Sequence, residues 1–194
     1  MTTDMYDDGS TQRWSGNPNA ALLREAAHLS PGTALDIGAG EGADARWLHQ
    51  QGFNVTAVEP SPIACARIGD GITVINDSFE AADLGRFDLV TAFYTPLLDD
   101  AATREKLLGC LAPQGTLIMV HHVDVSHMAA HHRRSESEFL LPGRLHEWVA
   151  ANPEFQVETF GTFPRSVSHG AGAGHSEDVV LKITNIGSPT GPRS

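Results

Sequence analysis

The stretch "LDIGAGEGADARWLHQQGFNVTAVEPS", residues 35–61, decides how the rest of the chain is read. It begins apolar, passes through three glycines in five positions, turns helical, becomes apolar again and reaches an acid, Glu59. The pattern is strand, helix, strand. Glycine lets the backbone approach a ligand and take positive φ. In a doubly wound sheet, ligands bind at the carboxyl ends of the strands, where this loop lies. The spacing fits two templates. One is Gly38-x-Gly40-x-Gly42; the other is Gly38-x-Gly40-x-x-Ala43, the dinucleotide fingerprint with alanine in its last place. Glu59 fits both, because either ligand has a ribose diol that can donate to a carboxylate. A tight turn that merely packs strand on helix is the bland alternative. The glutamate at the right spacing weighs against it.

Outward from this unit the alternation continues. Residues 1–16 read as an arm, and 17–32 as a helix capped by Asn17, with Pro18 in its first turn and Pro31-Gly32 at its end. "TALDIG" is a strand, 41–52 a helix closed by Gly52, "NVTAVEP" a strand, and "SPIACARIGDG" a helix opened by Ser61. "ITVIN" and "FDLVTAFY" are strands three and four. "DAATREKLLGCLAPQG" reads as a long helix ending in a Pro-Gly turn, and "GTLIMVHHV" as strand five. Residues 124–141 are polar and His-rich, without a clear period. "PGRLHEWVAANP" is a last helix. "FQVETFGTF" and "EDVVLKITN" flank a Gly-rich loop and should pair as an antiparallel hairpin near one edge. The pattern implies an α/β, doubly wound, mostly parallel sheet in one domain spanning 1–194, with 187–194 a disordered tail.

Composition narrows the function. Hydrophobic residues make up 41% of the 194, which suits a globular domain. No apolar run approaches the ~18–20 residues of a membrane span. The polar, acidic N-terminus lacks the marks of a signal peptide. Cys65 and Cys110 form no framework, which suits buried thiols in a reducing cytoplasm. A net charge of −11 disfavours nucleic acid or an anionic membrane as the main partner.

Asp36 separates the two templates. It lies within the first strand, two residues before Gly38. A carboxylate there repels a pyrophosphate and favours a cationic ligand. S-adenosylmethionine has a sulfonium and an ammonium and no phosphate. Glu41, within the loop, is another poor choice for phosphate. The alternative is a strand-end acid that only caps the glycine turn.

In order, "LDIGAGEG", "VTAVEPS", "INDSF" and "FDLVTAFY" resemble the class I S-adenosylmethionine-dependent methyltransferases. "RWSGNPNAALL" is also similar to small bacterial methyltransferases grouped with tellurite and thiopurine methylation. The resemblance implies a Rossmann-like, seven-stranded sheet with its last strand inserted antiparallel. It implies that Asp36, Gly38, Ala39 and Gly40 contact the methionine moiety and that Glu59 accepts from the ribose hydroxyls. Pro60 would pack on adenine, and Asp77 would accept from its amino group. Ser78 and Phe79 would line the same pocket; Ala92, Phe93 and Tyr94 would floor the methionine side. Asn76 replaces the glycine common before that acid. Solvated-turn and plain-core readings stand beside these for Asp77, Phe79 and Phe93.

The acceptor is less legible. The fourth strand ends "AFYTPLL", without the Asn/Asp-Pro-Pro-aromatic run of amino-methylating DNA enzymes, so a small-molecule methyl acceptor is expected. His121, His122, His127, His131 and His132 follow strand five. They read as a general base, a metal pair at i, i+4, or a polar lid. His121 and His122 are the candidate catalytic residues, but neighbours on a strand point to opposite faces and cannot both serve. No metal is expected. Tyr6 and Trp14 could close over the cofactor or merely pack the arm. A nicotinamide-dependent oxidoreductase and a non-catalytic S-adenosylmethionine-binding regulator remain as alternatives. Oligomeric state is not encoded in any motif.

Overall fold

The structure, a computed structural model, describes residues 4–7, 9–165 and 175–187. Helix α1 (Ala20–Ala26) precedes β1 (Thr33–Ile37), α2 (Ala43–Gln50), β2 (Asn54–Val58), α3 (Pro62–Cys65) and β3 (Thr73–Ile75). β4 (Phe87–Phe93), α4 (Ala101–Gly109), β5 (Leu111–His122), α5 (Ser126–His132) and α6 (Pro142–Ala150) follow, then the hairpin β6 (Phe155–Pro164) and β7 (Glu177–Asn185). The described strands form one seven-stranded sheet in the order β3-β2-β1-β4-β5-β7-β6. β1 pairs in parallel with both β2 and β4, so the chain reverses direction across the sheet at β1. β7 runs antiparallel between β5 and β6, as the hairpin pattern predicts.

Each sheet face has its own core. α1 and α2 bury Leu22, Ala26, Ala45 and Leu48 against Val55, Leu89, Ile118 and Val180. α4 and α6 bury Leu107, Leu108, Leu145 and Val149 against Leu35, Val90, Leu117 and Leu181. Both faces are covered, which is why strands such as "TALDI" read as near-continuous apolar runs.

Several boundaries differ from the sequence expectation. α1 begins after Asn19, not Asn17, and neither asparagine caps it: Asn19 donates its amide and its Nδ2 to Asp44. α4 stops at Gly109, because Cys110 and Leu111 are drawn into the core and Leu111 pairs with Phe87. The Pro-Gly turn expected there is instead an irregularity inside β5, with Gln114 at φ 64°. Residues 124–141 hold α5 and a short 3-10 turn at Glu136–Glu138, whose Ser135 and Glu138 form a capping box. Most of the Gly-rich hairpin loop, and the tail beyond Gly187, lie outside the described residues.

Gly42 joins loop to helix. It sits at φ 79° before α2, and a Cβ there would lie 2.9 Å from the Ile68 backbone. Left-handed strain and overpacking both oppose a side chain. Gly42→Ala should therefore cost roughly 2–4 kcal/mol in a denaturant melt.

Candidate functional site

The loop between β1 and α2 closes on the end of β2. Gly38 and Ala39 donate their amides to the Val58 carbonyl. Glu59 is buried and accepts from the Gly40 amide at 2.9 Å and from the Ser61 amide at 2.9 Å. Burial outweighs those two bonds and raises its pKa. The expected ribose acceptor thus also holds two strand ends together, and its removal would orphan two amides.

Asp36 lies beside Ala57 on β2 and Thr91 on β4, under the start of α2. Thr91 Oγ1 donates to its Oδ1 at 2.7 Å. Its Oδ2 is buried without a hydrogen-bond partner among the described residues. Burial first, then the Asp44 carboxylate, push Asp36 well above the ordinary carboxylate range. The Thr91 hydroxyl pulls against them, Glu59 pushes with them, and the nearby Ala45 amide, which forms no hydrogen bond of proper geometry with Oδ2, pulls back least. Asp44, buried and bonded to Asn19, is raised by burial as well. Three buried acids, Asp36, Asp44 and Glu59, crowd the glycine loop, and none of them is ion-paired among the described residues; a fourth, Glu41, is paired with Arg67.

The N-terminal arm lies over this loop. Arg13 and Trp14 donate their amides to Glu41, which also pairs with Arg67 at 2.7 Å. Arg67 also donates to the Ser10 carbonyl. Tyr6 is buried on Gly40: a Cβ at Gly40 (φ 54°) would stand 2.8 Å from its hydroxyl, which accepts from Trp14 Nε1. Ser61 Oγ donates to Asp4 beside Glu59.

Along the adenine side, Pro60 is exposed, Asp77 is exposed and accepts from its neighbour Ser78's amide, and Asn76 ties β3 to the Glu59 and Pro60 carbonyls. Phe79 and Phe93 are packed in the two opposite cores. Phe79 also lies under Lys106.

Further along the strand ends, β5 splits its two histidines. His121 is buried with neither ring nitrogen hydrogen-bonded among the described residues, and burial foremost pushes it down to about 4. His122, on the other face, meets Asp178 at 2.9 Å through Nδ1. Tyr94 donates to the other Asp178 oxygen at 2.7 Å, and Arg165 donates to the Tyr94 hydroxyl at 3.2 Å. Tyr94 itself is in the left-handed region at φ 56°, a strained turn that points its ring at this cluster. Tyr94, Arg165 and Asp178 line a cavity of about 160 Å³ together with Asn17, Asn19 and Arg24. Asp44, Arg165 and Asp178 carried no signal in the sequence. Asp178 could have been found only by knowing the β5–β7 register, which sets it opposite His122. No group of three or more His, Cys, Asp or Glu among the described residues could hold a metal.

A profile described as a methyltransferase domain matches residues 11–156. The chain belongs to the methyltransferase-domain family. Its fold is the class I fold of S-adenosylmethionine-dependent methyltransferases. A structure concerned with conversion of a disulfide bond into a thioacetal group during echinomycin biosynthesis is 20% identical over 90% of this chain and 85% of its own, with TM-score 0.64. The Burkholderia thailandensis 1,6-didemethyltoxoflavin-N1-methyltransferase, with bound 1,6-didemethyltoxoflavin and S-adenosylhomocysteine, is 20% identical over 85% and 76%, at 0.59. TehB from Haemophilus influenzae is 12% identical over 84% and 60%, at 0.63. At these identities the likeness is one of fold. No curated protein matches the chain.

S-adenosylmethionine, the cofactor of this methyltransferase class, fits the residues present. Its cationic methionine end would meet the unpaired Asp36 oxygen and relieve the crowding of acids. A pyrophosphate would add to that crowding.

The arm is fastened to the glycine loop at Glu41. Burial alone would raise this carboxyl, but bonds from Trp14, Arg13 and Arg67 outweigh it and hold it below the usual range. Glu41→Gln should loosen the arm and speed both association and release of S-adenosylhomocysteine in stopped-flow fluorescence, with the melting temperature little changed.

His121 should leave a signature in acid. The unfolded chain binds its proton below about pH 6.5, whereas the folded chain resists until about 4. Stability should therefore fall as pH drops through that window, by roughly 3 kcal/mol at its foot. In urea melts between pH 7 and 4, His121→Leu should remove that loss.

Proposed function

We propose that the protein transfers the methyl group of S-adenosylmethionine to a small-molecule acceptor by in-line displacement. The observation that carries this reading is the buried, unpaired Asp36 oxygen beside the glycine loop, among acids that favour a cation. The cofactor supplies an electrophilic methyl group. The chain's own residues hold, align and enclose: Asp36 pairs the methionine ammonium and Glu59 accepts from the ribose. Gly38, Ala39 and Gly40 let the backbone approach, and Pro60, Asp77 and Ser78 border the adenine. Displacement needs mainly alignment and exclusion of water, which the arm with Tyr6 and Trp14 is placed to provide. Net charge of −11 and the small cavity at the ends of β4 and β7 favour a small acceptor over a nucleic acid. The neighbour bound to 1,6-didemethyltoxoflavin supports the same class of acceptor. Among the described residues no helix is long and apolar enough to cross a membrane. With both cysteines free, we place the protein in the reducing cytoplasm.

Calorimetry tests the reading. S-adenosylmethionine and S-adenosylhomocysteine should bind, and NAD(H) should not; comparable NAD(H) binding would overturn it in favour of an oxidoreductase. Burial and Asp44 push Asp36 above the ordinary carboxylate range, toward its protonated form, and a bound cation favours its charged form. Binding should therefore release a proton, seen as a heat that varies with buffer ionisation enthalpy. Affinity should rise with pH as Asp36 ionises. Asp36→Asn should weaken binding about ten- to a hundredfold and abolish the proton release, while leaving stability equal or higher.

A further inference from the structure

We propose that His122, oriented by Asp178, is the general base of the methyl transfer, and that the acceptor is a small molecule whose O–H or S–H group must lose its proton. This rests on the methyltransferase reading and names the class of acceptor.

The geometry is that of a held base. His122 and Asp178 are directly paired across β5 and β7, so their side chains share one face. Asp178 Oδ1 receives His122 Nδ1 at 2.9 Å, which fixes the proton on Nδ1 and the lone pair on Nε2. Both ring faces are covered: Tyr94 stacks with its centroid at 4.3 Å and His175 at 3.7 Å. One nitrogen remains. Nε2 has no hydrogen-bond partner among the described residues and is not among the buried unpaired atoms. Asp178 is itself held, by the Tyr94 hydroxyl and by Arg165 at 3.4 Å. Tyr94 and Asp178 form part of the wall of the 160 Å³ cavity, so the base stands beside it. His121 offers the contrast: it is buried on the opposite face, neither ring nitrogen is hydrogen-bonded among the described residues, and Asp178 acts on it only through space, against a larger burial effect.

The step balances without another reactant. Nε2 takes the proton from the acceptor oxygen or sulfur, whose electron pair forms the new bond to the methyl carbon. The old carbon–sulfur bond breaks with its electrons going to the sulfonium, leaving a neutral thioether. The imidazolium, paired with Asp178, then gives its proton to water.

The groups that face His122 are Asp178 on β7, His175 before it, Tyr94 just after β4 and Arg165 after β6; His121 is its strand neighbour on the opposite face, and Asp124 acts on His175. Among them Asp178 is the bonded acid, and it governs the test.

Wild type, His122→Gln and Asp178→Asn should bind S-adenosylhomocysteine within about threefold of one another, since neither residue touches the glycine loop. If wild type binds no S-adenosylhomocysteine, the methyltransferase reading falls and this inference with it. If binding is normal, nitrogen-15 histidine spectra decide without any acceptor. Neutral His122 should carry its proton on Nδ1, the nitrogen that meets Asp178. A proton on Nε2 would overturn the proposal. Turnover probes extend this: 2-mercaptoethanol and catechol carry a proton to lose at neutral pH, and nicotinamide, attacking through its ring nitrogen, does not. His122→Gln should cut kcat on the thiol or the catechol by about 10²–10⁴-fold with little change in KM, and Asp178→Asn by less. Methylation of nicotinamide alone, or thiol and catechol rates unmoved by His122→Gln, would also overturn it.

Discussion

The carboxylate of Asp36, buried at the end of β1 with one oxygen unpaired, is the constraint around which the strand ends are arranged. A buried charge without a partner is costly, so the surroundings push the group toward its protonated form. Asp44 and Glu59 deepen that tendency rather than relieve it. A fold that keeps these three acids so close, with none of them ion-paired among the described residues, is poised for a cationic ligand. The cost in stability and the preference for a sulfonium and an ammonium have the same origin.

Around that centre the backbone is shaped by hydrogen bonds rather than by packing. Glu59 collects the Gly40 and Ser61 amides and so joins the turn after β1 to the start of α3. Glu41 collects two amides from the arm and brings Tyr6 down on Gly40. Both acids were visible as loop residues. Their work as anchors of main-chain amides explains why the arm and the turn form one surface, and why Asn19 serves Asp44 instead of capping its helix.

The opposite half of the strand ends depends on the hairpin. Because β7 runs antiparallel beside β5, the residue entering the sheet on β7 faces the residue leaving it on β5. Asp178 therefore reaches His122 across 56 residues of sequence. The strained turn at Tyr94 adds the phenol to the same cluster, and Arg165 comes to it from the end of β6. His121, one residue away, lies in another environment altogether.

The sequence by itself determined the alternation of strands and helices, the parallel sheet with its final hairpin, and the loop from Asp36 to Glu59. These are local patterns: apolar periodicity, glycine spacing, and an acid at a fixed distance along one βαβ unit. It also required that His121 and His122 part company, since strand geometry is local too. It misplaced the start of α1 and the end of α4, where tertiary pairings with Asp44 and with Phe87 overrode capping and turn propensity. Only the tertiary structure decided that Phe79 and Phe93 belong to the cores, that Tyr6 lies on Gly40, and that His122 has Asp178 for a partner. Those outcomes depend on strand order and register, which are set by the packing of both sheet faces at once and leave no mark within any short stretch of the chain.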